Sequence, residues 1–373
     1  MKKTKFIGFL AFLAAGFASV SCSLTGDDTA DDPVSGELTI SLSKDVIRAN
    51  GEEFSIIQVR KGNELLTEGI TVYDAKTNLP LDLPEMKFTT TTPGEYSFWA
   101  VYGTEHTSTV TLNAIDFAVP ELPEDTDPSA LLFNKKLLIT QFTGTGCGWC
   151  PFMINIIKKV SSDPAYSDRL ELSVAHTFNS NDPAFLSAPL VQAMSVSGYP
   201  TVVFDMHTQF TNYNSETGFR KAFDDVYSRS EAKAGISASS YLEGNTLVLN
   251  AAVKAAVAGE FRVGAWVLED GIKANQANNG AKPEAGVDFN LHNKCIRFAD
   301  SKGNSSSYTG YSVGELAAGE VGNHVFIIKL DDKWVKENLS LIVFVTSKDK
   351  KGFSVTNAIS CKIGDDVQYN YSK

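Results

Sequence analysis

The sequence predicts a multidomain α/β plus all-β protein, with one α/β unit set between two β-sandwiches. Short alternating segments separated by turn residues fill two stretches, one before residue 117 and one after residue 232, and supply the sandwiches. Between them, apolar runs alternate with segments whose apolar residues recur at helical spacing, the pattern of an α/β unit. At 373 residues the chain also exceeds one domain of ordinary size, so two or three domains follow.

The N-terminus comes first in the chain and decides its compartment. Lys2, Lys3 and Lys5 precede an apolar stretch from Phe6 to Val20, so residues 1–21 read as a secretory signal peptide, too short to span a membrane. Ser19-Val20-Ser21-Cys22 is similar to the lipobox of bacterial lipoproteins, which implies that Cys22 is lipidated and becomes the new N-terminus. Acyl chains there give a protein anchored to the membrane without crossing it. An ordinary secreted protein with Cys22 left free is the alternative. Residues 22–35 are acidic and poor in apolar side chains, notably Gly26 to Pro33, and read as a tether. Ser23 after the lipid cysteine matches sorting patterns for the outer membrane, on its periplasmic or cell-surface face. Removing residues 1–21 takes three lysines and no acids, leaving thirty basic residues against 44 acidic and a net charge of −14. Nucleic acid is thereby excluded as a partner.

Residues 36–116 hold alternating runs such as Leu38–Leu42, Phe54–Val59, Tyr96–Tyr102 and Thr109–Leu112, with turn signals at Ala49-Asn50-Gly51 and Pro93-Gly94. This pattern resembles bacterial immunoglobulin-like sandwiches, and nothing in it suggests more than a spacer. Residues 117–129, rich in proline and acids, read as a linker. In the α/β unit, residues 130–232, Lys136–Phe142 is a buried strand, a helix starts at Cys147–Cys150, and Leu170–Ala175 is a strand. Pro183–Met194 is a helical candidate, Val202–Phe204 a strand, and Thr217–Arg229 a closing helix. From residue 233 to 373 the runs Thr246–Asn250, Phe261–Leu268, His324–Leu330 and Leu339–Val345 make the second sandwich.

Cys147-Gly148-Trp149-Cys150, followed by Pro151, is the segment that specifies a chemistry. At the first turn of a helix this spacing brings two sulfurs within bonding distance. It also sets Cys147 near exposed backbone N–H groups, which favour its thiolate. The thiolate is the form that attacks a disulfide, and the neighbouring thiol resolves the mixed disulfide, so Cys147 is the candidate nucleophile and Cys150 the resolver. Trp149 reads as an exposed lip touching substrate, or as plain packing on the helix. An inert structural disulfide and half of a zinc site are the other readings; zinc needs two further ligands, and no second Cys-x-x-Cys exists.

Cys147–Pro151, together with Gly198-Tyr199-Pro200-Thr201 leading into an apolar strand, resembles the thioredoxin superfamily. The resemblance implies a thioredoxin-like central domain, a cis peptide before Pro200, and Tyr199 and Pro200 aligning substrate beside the sulfurs. Two positions depart from that pattern: Gly146 stands where thioredoxins usually carry Trp, and Gln141 where many carry a buried acid.

Cys295 and Cys361 fall in strands of the last domain and are candidates for a structural disulfide, worth about 4 kcal/mol by loop entropy; two buried thiols are the alternative. The five histidines show no metal-ligand spacing, so no metal is expected, and no organic cofactor is implied. His176 and His207 are the two that strand ends could bring near the cysteines. The order of the modules, with Thr143 to Pro151 and Phe289 to Arg297, looks like the twenty-eight-kilodalton outer-membrane lipoprotein family over roughly residues 130–373. The leading expectation is an outer-membrane lipoprotein exchanging disulfides with the thiols or disulfides of extracytoplasmic proteins. The alternative is a non-catalytic binding or adhesion lipoprotein that recognises partners through its β-modules.

Overall fold

The computed structural model describes residues 36–229, 231–303, 306–350 and 352–372. The expected signal peptide, the acidic tether and the lipidation candidate Cys22 lie outside the described residues.

Among the described residues nine strands come before residue 117: Leu38–Leu42 (β1), Val46–Arg48 (β2), Ser55–Lys61 (β3), Glu64–Leu65 (β4), Ile70–Asp74 (β5), Lys87–Phe88 (β6), Gly94–Tyr102 (β7), Glu105–His106 (β8) and Val110–Ile115 (β9). They form two sheets, β1-β3-β4 with β6 on β3, and β2-β9-β7-β5 with β8 on β7. Strand β3 shows the physical logic: its odd positions Ser55, Ile57, Val59 and Lys61 are buried and its even positions half-buried, the period-2 signature of one face turned to a core. Ile57, Val59, Phe98, Ala100 and Leu112 make that core.

The segment expected as a linker lies along the next part of the fold. Tyr241 donates its hydroxyl to the Ala118 carbonyl (2.5 Å) and Asn250 its amide to the Pro120 carbonyl (3.0 Å). Lys254, almost wholly buried, reaches Asp125 Oδ2 at 2.9 Å and the Pro128 carbonyl at 2.8 Å. A buried ammonium needs such partners, since isolated burial of a charge is costly.

The rest of the chain runs Leu137–Thr143 (β10), Cys150–Ser161 (α1), Leu170–His176 (β11), Leu190–Ala193 (α2), Thr201–Phe204 (β12), Thr208–Phe210 (β13) and Glu216–Tyr227 (α3). There follow Ala234–Glu243 (β14), Thr246–Ala255 (β15), Gly259–Glu269 (β16), Ile272–Lys273 (β17), Leu291–His292 (β18) and Cys295–Asp300 (β19). Tyr311–Leu316 (β20), Val321–Lys329 (β21), Leu339–Asp349 (β22), Gly352–Lys362 (β23) and Asp366–Val367 (β24) complete it.

These strands correct the expected fold class. A central thioredoxin-like α/β domain followed by a separate β-sandwich is not what the chain forms: the described protein is mainly β, and β10 to β13 belong to one nine-stranded sheet, β13-β12-β10-β11-β19-β16-β22-β23 with β20 on β16. The physical reason is visible in β10, all seven residues of which are buried. Its odd positions Leu137 and Ile139 pack with Ile157 of α1 and Phe223 of α3. Its even positions Leu138 and Phe142 share a second core with Trp266, Ile342 and Phe344 of the C-terminal strands. A strand buried on both faces, one by helices and the other by the rest of the sheet, cannot be cut out as a self-contained unit. The third core lies between the nine-stranded sheet and the four-stranded sheet β21-β15-β14-β24.

Two further expectations change. The helical candidate Pro183–Met194 yields α2 alone, four residues long, with turns before it. Cys295 and Cys361 are free buried thiols, unbonded. Their strands β19 and β23 are separated by β16 and β22, three strand spacings or about 14 Å. A disulfide needs Cα atoms within about 7 Å.

Candidate dithiol site

The site grows from the end of β10. After Thr143 the loop Gly144–Trp149 turns the chain, with Cys147 N–H donating to the Gly144 carbonyl (3.0 Å) and Cys150 N–H to the Cys147 carbonyl (3.2 Å). Helix α1 begins at Cys150 with Pro151 in its first turn, where a missing N–H costs nothing. Trp149 caps the helix without a side-chain hydrogen bond, so the first-turn amides keep their positive field for the sulfurs beside them. Cys147 and Cys150 are joined in a disulfide, Cα to Cα 5.4 Å. Cys150 is fully buried and Cys147 only 3% exposed, whereas Trp149 is 46% exposed.

The neighbouring strands bring the other expected residues to this end. Strand β12 pairs antiparallel with β10, Phe142 opposite Thr201, so Pro200 stands level with the start of the cysteine loop. The Tyr199–Pro200 peptide is cis. Tyr199 shares a hydrogen bond with Thr177 (3.0 Å) and meets Phe178 edge to face. Trp149 stacks on Tyr213 at 5.6 Å and tilts against Phe152. The cysteine loop and its neighbours thus carry two aromatic pairs, Trp149 with Tyr213 and Phe178 with Tyr199. Phe178 also explains Gly146: a Cβ there would stand 3.0 Å from the Phe178 ring, so the space that a larger residue would take is already filled.

Asp182, which the sequence did not single out, ties this end together. Its buried carboxylate accepts from the Thr145 N–H (2.7 Å), from the Ala184 N–H (2.9 Å) and from His176 Nδ1 (2.8 Å). Burial alone would raise its pKa, but the His176 contact and the two amides outweigh that and hold the carboxyl well below the usual range. His176, at the end of β11, therefore approaches the cysteine loop through Asp182. His207 does not: it is exposed in the turn between β12 and β13, at the strand end away from Pro200.

Under the helix is a cavity of about 250 Å³ lined by Gln141, Thr143, Ile157, Val174, His176 and His292 among others. Among the described residues Gln141 Nε2 and Thr143 Oγ1 are buried with no hydrogen-bond partner, and the cavity is roomy enough for water to serve both. Gln141 therefore puts a neutral amide in the wall of this cavity, which Ile154 and Ile157 of α1 also line.

The second feature missed from sequence is the stretch between β17 and β18. Ala277 N–H donates to the Thr145 carbonyl (2.7 Å) and Asn279 N–H to the Gly148 carbonyl (2.9 Å). Gln276 Nε2 donates to the carbonyls of Gly144 (3.1 Å) and Cys147 (2.9 Å). A Cβ on Gly148 would lie 2.4 Å from Asn279 Oδ1, so glycine lets the Asn279 side chain lie close against the loop. No apolar period marks residues 274–285, and no spacing rule would have found them.

Residues 188–367 match the family described as outer membrane protein Omp28. The expected outer-membrane location is borne out by that match, and the expected family resemblance is supported over this part of the chain. No curated protein matches the chain. The solved structure of HBP35 of Porphyromonas gingivalis is similar, with 18% identity, 65% of this chain and 79% of that one covered, and a TM-score of 0.51. That likeness is one of fold. A domain of the outer membrane lipoprotein Omp28 from Porphyromonas gingivalis has 18% identity over 36% of this chain and 89% of that one, with a TM-score of 0.24.

Proposed function

We propose that this outer-membrane protein, anchored through a lipidated Cys22, exchanges disulfides with extracytoplasmic proteins through Cys147 and Cys150. The Cys147–Cys150 disulfide at the start of α1, flanked by aromatic rings, carries the reading. In the reduced protein the Cys147 thiolate attacks one sulfur of a client disulfide; an S–S bond forms between them, and the client's other sulfur leaves as a thiolate and takes a proton. Cys150 then loses its proton and attacks Cys147 Sγ, restoring the intramolecular disulfide and releasing the second client thiol. Two electrons pass to the client, and the reverse sequence oxidises it. Trp149, Tyr199 and Pro200 line the approach and align the client.

One observation favours the competing scaffold reading, namely the near-complete burial of Cys147. Equilibrating the mature chain in graded glutathione buffers, quenching by alkylation and mapping each cysteine by mass spectrometry separates the two. A Cys147–Cys150 midpoint within roughly −270 to −120 mV supports exchange; one below about −300 mV, where structural disulfides lie, overturns it.

A further inference from the structure

We infer that the cysteine loop carries a docking ledge for an extended polypeptide, and that residues 276–279 of this chain occupy it in the closed state. The inference rests on the exchange reading above and names how a client would bind.

The ledge is a row of backbone carbonyls. Thr145 and Gly148 present theirs beside the disulfide, and each takes an N–H from the covering strap, at Ala277 (2.7 Å) and Asn279 (2.9 Å). Two residues apart on the strap, those donors are spaced as one edge of an extended chain spaces its N–H groups. Gln276 adds side-chain bonds to the Gly144 and Cys147 carbonyls. The complement of this surface is thus an extended backbone donating alternate N–H groups, which is how a peptide adds itself to an exposed edge. With the strap in place Cys147 is 3% exposed, so a client disulfide and the strap compete for the same position.

The way the strap is fastened suits displacement. Beyond the cysteine loop it is held to α1 by Asn155, which donates to the Lys282 carbonyl (2.7 Å) and accepts from the Glu284 N–H (3.1 Å), and by the ion pair of Lys159 with Glu284. Between residues 274 and 285 Ala281 is the one buried apolar side chain. Hydrogen bonds of this kind exchange with water at small net cost, whereas a strap pinned by large apolar side chains would resist. A client with an unfolded, cysteine-bearing segment supplies the same N–H groups and adds apolar contacts to Trp149 and Phe178, both exposed.

The test uses the mature full chain and the variant Gln276→Ala, which removes the two side-chain bonds to the ledge, with Asn155→Ala as a second way of loosening the strap. The probe is a ten-residue fluorescent peptide containing an internal serine pair for binding, and its cysteine counterpart as a disulfide for exchange; oxidised glutathione is the small control. Loosening the strap raises the fraction of open protein, so peptide affinity and peptide exchange rise together by about tenfold. Glutathione exchange rises by less, because it takes no backbone contacts from the ledge. Unchanged peptide binding in both variants, each folded by its circular dichroism, overturns the ledge. A gain in binding with no exchange in any chain removes the redox reading and leaves the ledge standing.

Discussion

Cys147 and Cys150 sit where a strand hands over to a helix, while Cys295 and Cys361 sit inside strands of the same sheet, and their surroundings push their chemistry in opposite directions. The first pair is joined, lies beside uncapped first-turn amides and is rimmed by exposed aromatics. The second pair is unbonded, and burial raises both thiols, Cys361 to about 12 and Cys295 further. A thiol that cannot ionise near neutral pH is a small apolar side chain. All four cysteines are buried, so what sets the two pairs apart is position relative to backbone dipoles more than exposure or residue type.

The comparison is broken most directly by substitution. Cys147→Ser removes the attacking sulfur, and peptide-disulfide exchange should fall at least about a thousandfold, while Cys295→Ser leaves it within about twofold. Cys150→Ser keeps the attack but not the resolution, so clients should accumulate as mixed disulfides on Cys147, visible on non-reducing gels. Equal losses from the Cys147 and Cys295 variants would show that both act only through folding. The next effect is kinetic: after gentle reduction at pH 8, Cys147 should react with iodoacetamide at least about a hundredfold faster than Cys361, whose thiolate fraction is small. Labelling of Cys361 at the rate of Cys147 in the native protein would remove the distinction.

The two pairs also show what a sequence can carry. Cys147 and Cys150 are bound to meet because three residues at a helix start span one turn, a local rule that needs no partner. The strand around Leu137–Thr143 is legible on similar local grounds, whereas the cis peptide before Pro200 is implied only by the resemblance to the thioredoxin superfamily. Whether Cys295 meets Cys361 depends on strand order, and nothing near either residue records that β16 and β22 come between. The same limit hid the shared sheet: the even positions of β10 read as an ordinary buried face, but the core they join includes Trp266 and Phe344, more than a hundred residues on. The strap at 276–279 is recorded least of all, since its bonds are backbone bonds and its residues are small and polar.

Asp182 sharpens the comparison from the side of the loop. Its carboxylate fixes Thr145 and His176, so the dithiol loop should depend on a charge that the strand cysteines do not use. Asp182→Asn should cost about 2 kcal/mol at pH 7, the value of charge-assisted hydrogen bonds left weakened. Because the folded carboxyl titrates below its unfolded value, the stability it contributes is present above about pH 4 and is lost as pH falls below that. Denaturant melts of both chains should therefore differ most at pH 7 and converge toward pH 3. A gap that stays constant with pH would mean that the loss is one of packing.

The smallest effect concerns the lip. Trp149 is nearly half exposed yet stacked on Tyr213 and close to Phe152, so it has one face for the protein and one for a visitor. If the exposed face binds clients, Trp149→Ala removes a contact worth about 1 kcal/mol, and KM for a peptide disulfide rises about fivefold while kcat holds. Glutathione, too small to reach across the ring and the sulfur together, should exchange at an unchanged rate. The buried face supplies the opposing expectation: were Trp149 there to hold the turn between Cys147 and Cys150, its loss would disorder the sulfurs themselves. Peptide and glutathione would then slow by the same factor, through kcat. The split between KM for the large substrate and the rate for the small one decides which face matters, and with it whether the exposed aromatics are what separate a working dithiol from a pair of cysteines that merely bond.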